Sequence, residues 1–132
     1  MKARQPIDFI VAALRALGLD GASLMDMPLL RFGHAALVPM AAMGQPWQQP
    51  RGPDGWPEAI SAWITPQLLA ARVTWAMAMP SRLVQDLPEP ADMVARALGE
   101  DADSAVAWAA QRAETRAEGI GVIFASPAFN RR

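Results

Sequence analysis

GQPWQQPRGPDGWPEAISAWITPQLLAAR, residues 44 to 72, holds three of the chain's five tryptophans, Trp47, Trp56 and Trp63, and five of its twelve prolines. Proline fixes the backbone φ angle, so a proline-dense segment loses little freedom when the chain folds. Each indole removes a large apolar area from water when it is buried. The composition therefore predicts a rigid loop over residues 45 to 57 that braces the neighbouring helices from within.

The residues that follow this loop predict two helices. Pro57 suits the first position of a short helix that runs through Trp63. Thr65 followed by Pro66 is typical of a capping residue and a first helical turn. We expect the helix that begins there to end before Pro80, because proline cannot donate a backbone hydrogen bond.

The residues that precede the loop predict two more helices. The first begins at Pro6, ends at Gly18 and has an apolar stripe. Its stripe residues are Ile7, Ile10, Val11, Leu14 and Leu17. The second apolar face runs from Leu29 to Met43, is kinked or divided by Pro39, and ends at Gly44.

The last third of the chain is also expected to be helical. A short helix is predicted from Ala91 to Leu98, and Asp103 or Ser104 is expected to cap a longer one that is broken near Gly119 and Gly121. No segment alternates as a strand would. The sequence predicts a single all-α domain over residues 1–132, an irregular array of about five or six short helices around one core.

Composition and charge exclude several functions. The chain of 132 residues is 52% hydrophobic, has a net charge of −1 and contains no cysteine. Disulfides and thiolate chemistry are therefore absent, and the basic footprint that a nucleic-acid partner requires is missing. We expect no transmembrane segment, because no apolar run approaches roughly 20 residues.

Four stretches resemble the bacterial family known as domain of unknown function 1800. The opening KARQPIDFIVAALRALG is similar to that family's entry helix. Two further stretches, MGQPWQQPRGPDGWP and the following W-x5-L-x2-R pattern that ends at Arg72, resemble its G-Q…G-W-P segment. The terminal FASPAFNRR resembles A-S-P-E-F-Q-R-R. Departures are Arg51 for a proline, Ala128 for a glutamate and Asn130 for a glutamine.

The resemblance implies a place for this chain within a longer protein. It covers the carboxy-terminal part of the family pattern, so we expect a piece of a larger parent. Family members are often exported, which suggests an exported or periplasmic parent, although no signal peptide is found in this chain. The expected partner is then the upstream part of the parent, or a second copy docked through an apolar face.

The candidate binding residues are Trp47, Trp56, Trp63, Gln45 and Arg72. Exposed indoles on a stiff loop would stack on sugar rings or grip a peptide, and Arg72 would recognise a carboxylate. The alternative is structural, with the indoles buried and Arg72 holding carbonyl groups of the proline loop.

No catalytic residue, metal site or cofactor is predicted. His34 is the single histidine, and it lacks the partners of a metal site or of a Ser-His-Asp relay.

The sequence is compatible with three functions. The first is a non-catalytic structural or interaction domain. The second is a carbohydrate- or peptide-binding module that uses the tryptophan-rich loop. The third is an accessory part of a hydrolase that upstream residues complete.

Overall fold

Helices make up most of the chain in this computed structural model, which describes residues 3–19, 26–45, 64–99 and 102–131. The first helices are α1 (Pro6–Ala16), α2 (Leu29–Phe32), a π-helical turn (Gly33–Leu37) and α3 (Val38–Ala42). They are followed by α4 (Pro66–Leu83), α5 (Pro90–Leu98), α6 (Ser104–Gln111), α7 (Arg116–Ala125) and α8 (Pro127–Asn130). In these ranges the β-type pairing consists of one isolated antiparallel bridge, between Ala3 and Arg131. The all-α prediction is confirmed.

The helix starts follow the capping chemistry that the sequence predicts. Helix α4 begins at Pro66, and the hydroxyl of Thr65 accepts a hydrogen bond from the Leu68 amide at 3.3 Å. Helix α6 is capped by Asp103, whose carboxylate accepts from the Ala105 amide at 2.8 Å. These side chains satisfy amide groups that have no partner inside the helix.

Gly44 ends the second helical region and thereby places Gln45. Its φ angle is 100°, a left-handed conformation that favours glycine. The Gly44 amide donates a hydrogen bond to the Ala41 carbonyl, and the Gln45 amide donates one to the Met40 carbonyl. This is the hydrogen-bond pattern of the Schellman motif at a helix C-terminus. Gln45 is thereby turned back toward the first helix.

Pro39 neither breaks nor ends the helical region between residues 29 and 42. Proline has no amide proton for the carbonyl four residues earlier, which belongs to Ala35. The indole Nε1 of Trp75 donates to this carbonyl at 2.7 Å, and the π-helical turn precedes Pro39. The indole of Trp75 in α4 therefore gives the Ala35 carbonyl the hydrogen bond that Pro39 cannot donate.

Two helix boundaries differ from the prediction. Helix α4 continues through Pro80 to Leu83 instead of ending before the proline. The predicted long helix near the C-terminus is divided at residues 112–115, not near Gly119 and Gly121. The hydroxyl of Thr115 accepts from the Glu118 amide at 3.1 Å, so a new helix starts there.

Helix α7 lies at the centre of the described helices and packs against α4, α5, α6 and α8. Its Ile120, Ile123 and Phe124 side chains are fully buried. Phe9 of α1 is also fully buried, although the predicted stripe omitted it, and Val11 of that stripe is exposed. The ring of Phe9 lies edge-on to Trp75 at 5.5 Å and to Phe129 at 5.7 Å. The aromatic rings of α1, α4 and α8 therefore meet in one core.

Candidate functional site

Arg72 of α4 is a fully buried arginine that joins two distant parts of the chain. Its Nη1 donates to the side-chain oxygen of Asn130 at 3.0 Å, and its Nη2 donates to the carbonyl of Arg4 at 2.7 Å. Its guanidinium carbon lies 5.4 Å from the centre of the Phe9 ring. Arg72 thus connects the segment before α1 with the last helix.

The groups that accept hydrogen bonds from the Arg72 cation are uncharged. Burial lowers the pKa of Arg72 to about 10, because removal from water disfavours the charged form. The side chain therefore stays cationic at neutral pH. Its Nε has no hydrogen-bond partner among the described residues. Burying a cation away from water costs free energy. The two hydrogen bonds of Arg72 and the face of the Phe9 ring must therefore offset a large desolvation cost.

Gln45 is buried beside the start of α1. Its Oε1 accepts from the Ile7 amide at 2.9 Å, and its Nε2 donates to Oε1 of Gln5 at 3.1 Å. The Ile7 amide is one of the first-turn donors that α1 itself cannot satisfy. Gln45 therefore acts as a distant cap for α1.

Asn130 completes the connection from the C-terminal side. Its Nδ2 donates to the carbonyl groups of Phe124 and Ser126 at 3.0 and 2.8 Å. Its own carbonyl accepts from the Arg4 amide at 2.8 Å, next to the Ala3–Arg131 bridge. We call Arg4, Gln5, Gln45, Arg72 and Asn130 the terminal clasp, because together they bind the two ends of the described chain.

The five predicted binding residues divide into two groups. Gln45 and Arg72 belong to the terminal clasp and form hydrogen bonds with other residues of the same chain. Trp47, Trp56 and Trp63 lie outside the described residues, as do most carbonyls of the proline loop, so their role stays a prediction. Sequence reasoning did not select Arg4, Gln5 or Asn130. The sequence signal for these residues was the family resemblance, because Arg4, Gln5 and Asn130 lie in the first and last stretches that carry it. The resemblance did not indicate that these two stretches are in contact.

A basic pocket adjoins the terminal clasp. Its volume is about 570 Å³, and its lining includes Arg4, Arg15 of α1 and Arg96 of α5. A second pocket of about 400 Å³ lies between the α2 region and the end of α4, where Arg31, His34 and Arg82 contribute. In that second pocket Arg31 donates to the carbonyl of Arg82 at 2.8 Å.

Trp108 is an exposed tryptophan that the sequence analysis did not select. Its side chain is 60% exposed, and the guanidinium carbon of Arg112 lies 4.4 Å from the ring centre. Val106, Ala109 and Ala110 recur at helical spacing and form an apolar stripe that does not include Trp108. This position off the stripe was the signal that could have identified Trp108.

Residues 3–19, 26–45, 64–99 and 102–131 contain no group of three His, Cys, Asp or Glu side chains placed to hold a metal ion. None of the helices described in those ranges combines the length and the apolar character needed to cross a membrane.

The described helices and the terminal clasp define an all-α structure in which the segment before α1 is bonded to the last helix. This chain belongs to the family described as "Protein of unknown function (DUF1800)", whose model matches residues 1–131. The suspected family membership is confirmed. No curated protein and no solved structure matches the chain.

Proposed function

We propose that this chain is a non-catalytic structural and interaction domain. The observation that carries the proposal is the terminal clasp, in which the buried polar side chains are bonded to groups of the same chain. Catalysis requires acids, bases or donors that can reach a substrate. Arg72 and Asn130 instead hold the segment before α1 against the last helix, and Gln45 bonds to the start of α1.

The proposed partner is the upstream part of a longer parent protein. This proposal rests on the resemblance of the chain to the carboxy-terminal part of the family pattern. Large apolar side chains remain exposed on the described surface, Val38 at 63% and Trp108 at 60%. Exposed apolar groups of this size are compatible with a domain that contacts another protein segment.

The second candidate function is a carbohydrate- or peptide-binding module formed by Trp47, Trp56 and Trp63. One observation favours it, because both attachment points of the segment 46–63 are fixed. Gln45 is buried and bonded to α1, and Thr65 caps α4. A loop with anchored ends loses less entropy on binding a ligand. Arg72 would not contact the ligand, because it is fully buried and bonded to Arg4 and Asn130.

Acrylamide quenching of tryptophan fluorescence separates the two functions, provided that Trp108 is first replaced. Trp108 is exposed and would dominate the quenching of the natural chain, whereas Trp75 is 3% exposed. In a Trp108→Phe variant, the remaining quenching reports mainly on Trp47, Trp56 and Trp63. The structural proposal predicts weak quenching, close to that of a buried indole.

Strong quenching in the Trp108→Phe variant would contradict the structural role and favour the binding module. A Trp56→Ala variant is then tested for retention on glycan and peptide arrays, with Trp108→Ala as the matched control. Loss of retention in Trp56→Ala alone, with an unchanged circular dichroism spectrum, would establish the binding function. Turnover of a glycoside and ester panel by the purified chain would contradict the non-catalytic proposal directly.

A further inference from the structure

We propose that the pocket formed by Arg4, Arg15 and Arg96 binds a small organic molecule that carries two or more carboxylate or phosphate groups. The three arginines that line this pocket come from three separate parts of the fold: the segment before α1, α1 itself and α5. The chain as a whole has a net charge of −1. Three cations around one pocket are therefore a local concentration of charge that the composition does not require.

Three arginines that line one pocket favour an anionic ligand. Like charges close together are destabilising, and an anion placed between them converts the repulsion into attraction. Arginine is the side chain best suited to this task, because its planar guanidinium binds carboxylate or phosphate oxygens through paired hydrogen bonds.

Arg4 is already held in position for such a ligand. Its Nε donates to the Phe129 carbonyl at 2.7 Å, and its guanidinium carbon lies 5.0 Å from the centre of the Phe129 ring. These contacts leave Nη1 and Nη2 of Arg4 without a partner among the described residues. An arginine that is fixed before binding loses little side-chain entropy when the ligand arrives.

The shape of the pocket indicates a small molecule and not a single ion. Besides the arginines, its walls are formed by small side chains and one ring: Ala12, Ala16, Gly18, Ala97 and Phe129. Small residues leave open space between the charged groups. A volume of about 570 Å³ lies within the range of roughly 300–1,000 Å³ that is typical of small-molecule sites.

The position of Arg4 connects this pocket to the terminal clasp. The carbonyl of Arg4 accepts from Arg72, and its side chain contacts the last helix. A ligand that bridges Arg4, Arg15 and Arg96 would therefore hold the segment before α1 against α1 and α5. Binding should raise the melting temperature, because only the folded state brings the three arginines together.

Isothermal titration calorimetry with two probes tests the proposal. Citrate supplies carboxylates and pyrophosphate supplies phosphates, each measured against sodium chloride of equal ionic strength. We expect saturable binding of at least one probe, with a rise in melting temperature. The probe that binds more tightly identifies the preferred oxygen group.

An Arg15→Gln/Arg96→Gln double variant should weaken that binding at least about tenfold, which corresponds to about 1.4 kcal/mol at 25 °C. Both residues are exposed, so the fold should be retained, and the melting temperature without ligand checks this. Arg112→Gln removes one positive charge outside the pocket, as each single pocket variant does inside it, and should leave the affinity within about twofold. If the double variant does not fold, the two single variants are measured, each with an expected loss of about threefold or more.

Three results would overturn the proposal. The first is no binding of either probe beyond the chloride control. The second is full retention of affinity by the folded Arg15 and Arg96 variants. The third is an equal loss in Arg112→Gln, which would show that the probes respond only to the overall charge of the chain.

Discussion

At the scale of single residues, Arg72 has an unusual environment for a cation. The hydrogen-bond partners described for it are a backbone carbonyl and an amide oxygen, and the nearby ring of Phe9 offers a π face. Its lowered pKa means that the unfolded state holds this proton more tightly than the folded state. Stability would therefore rise as the pH increases above about 10, and Arg72 contributes no pH slope near neutrality.

Replacing Arg72 with lysine should destabilise the fold by about 2–4 kcal/mol at neutral pH. Lysine keeps the buried charge but lacks the planar fork that reaches Arg4 and Asn130 together. Urea unfolding of Arg72→Lys measures the loss. Arg112→Lys, at an exposed arginine, is the matched control and should change stability by less than about 0.5 kcal/mol. Equal stability of Arg72→Lys and the natural chain would contradict this view of Arg72.

Sequence reasoning identified Gln45 and Arg72 as special residues but could not find their partners. The two acceptors of Arg72 lie 58 and 68 residues away along the chain. Helical periodicity reports only on neighbours three or four positions apart. The first and last stretches were marked by the family resemblance, yet nothing local indicated that Arg4 and Asn130 meet.

At the scale of helices, the sequence predicted those boundaries that local backbone chemistry sets. Thr65, Asp103 and Gly44 each act through local backbone chemistry, and the structure places them as predicted. The end before Pro80 was predicted wrongly, because a proline removes one bond without preventing a packed helix from continuing. Buried Pro80 lies inside α4, where tertiary contacts outweigh that missing bond.

The glycines of α7 were also interpreted wrongly, as points of helix breakage. A Cβ on Gly119 would lie 2.6 Å from the Ala110 carbonyl oxygen and 2.6 Å from Cγ of Pro90. A Cβ on Gly121 would lie 2.4 Å from the sulfur of Met77. These glycines allow close approach of α4, α5 and α6 to the central helix. Their packing role could not be predicted without knowing which helices are neighbours.

Gly119→Ala should therefore destabilise the domain by about 1–3 kcal/mol, although alanine favours helices more than glycine does. The contacting atoms are a backbone carbonyl and a proline ring, neither of which can move away easily. Gly33→Ala is the matched control, because a Cβ there meets nothing within 4 Å. It should stabilise by up to about 1 kcal/mol. Thermal unfolding of both variants measures these changes in stability. Equal changes in Gly119→Ala and Gly33→Ala would contradict the packing role of Gly119.

At the scale of the whole molecule, the all-α class followed from the absence of alternating segments and from repeated helical stripes. The arrangement of the helices did not follow, since it depends on contacts between distant elements. The terminal clasp is the main example. It joins the segment before α1, the residue that follows α3, the middle of α4 and the last helix.

A double-mutant cycle between Arg72 and Asn130 tests the terminal clasp most directly. Urea unfolding is measured for the natural chain, Arg72→Met, Asn130→Ala and the double variant, with an Arg72→Met/Trp108→Ala pair as the distant control. If the two residues hold the ends together, their coupling energy should be about 1 kcal/mol or more, and the control pair should be additive. A coupling below about 0.3 kcal/mol would contradict the account.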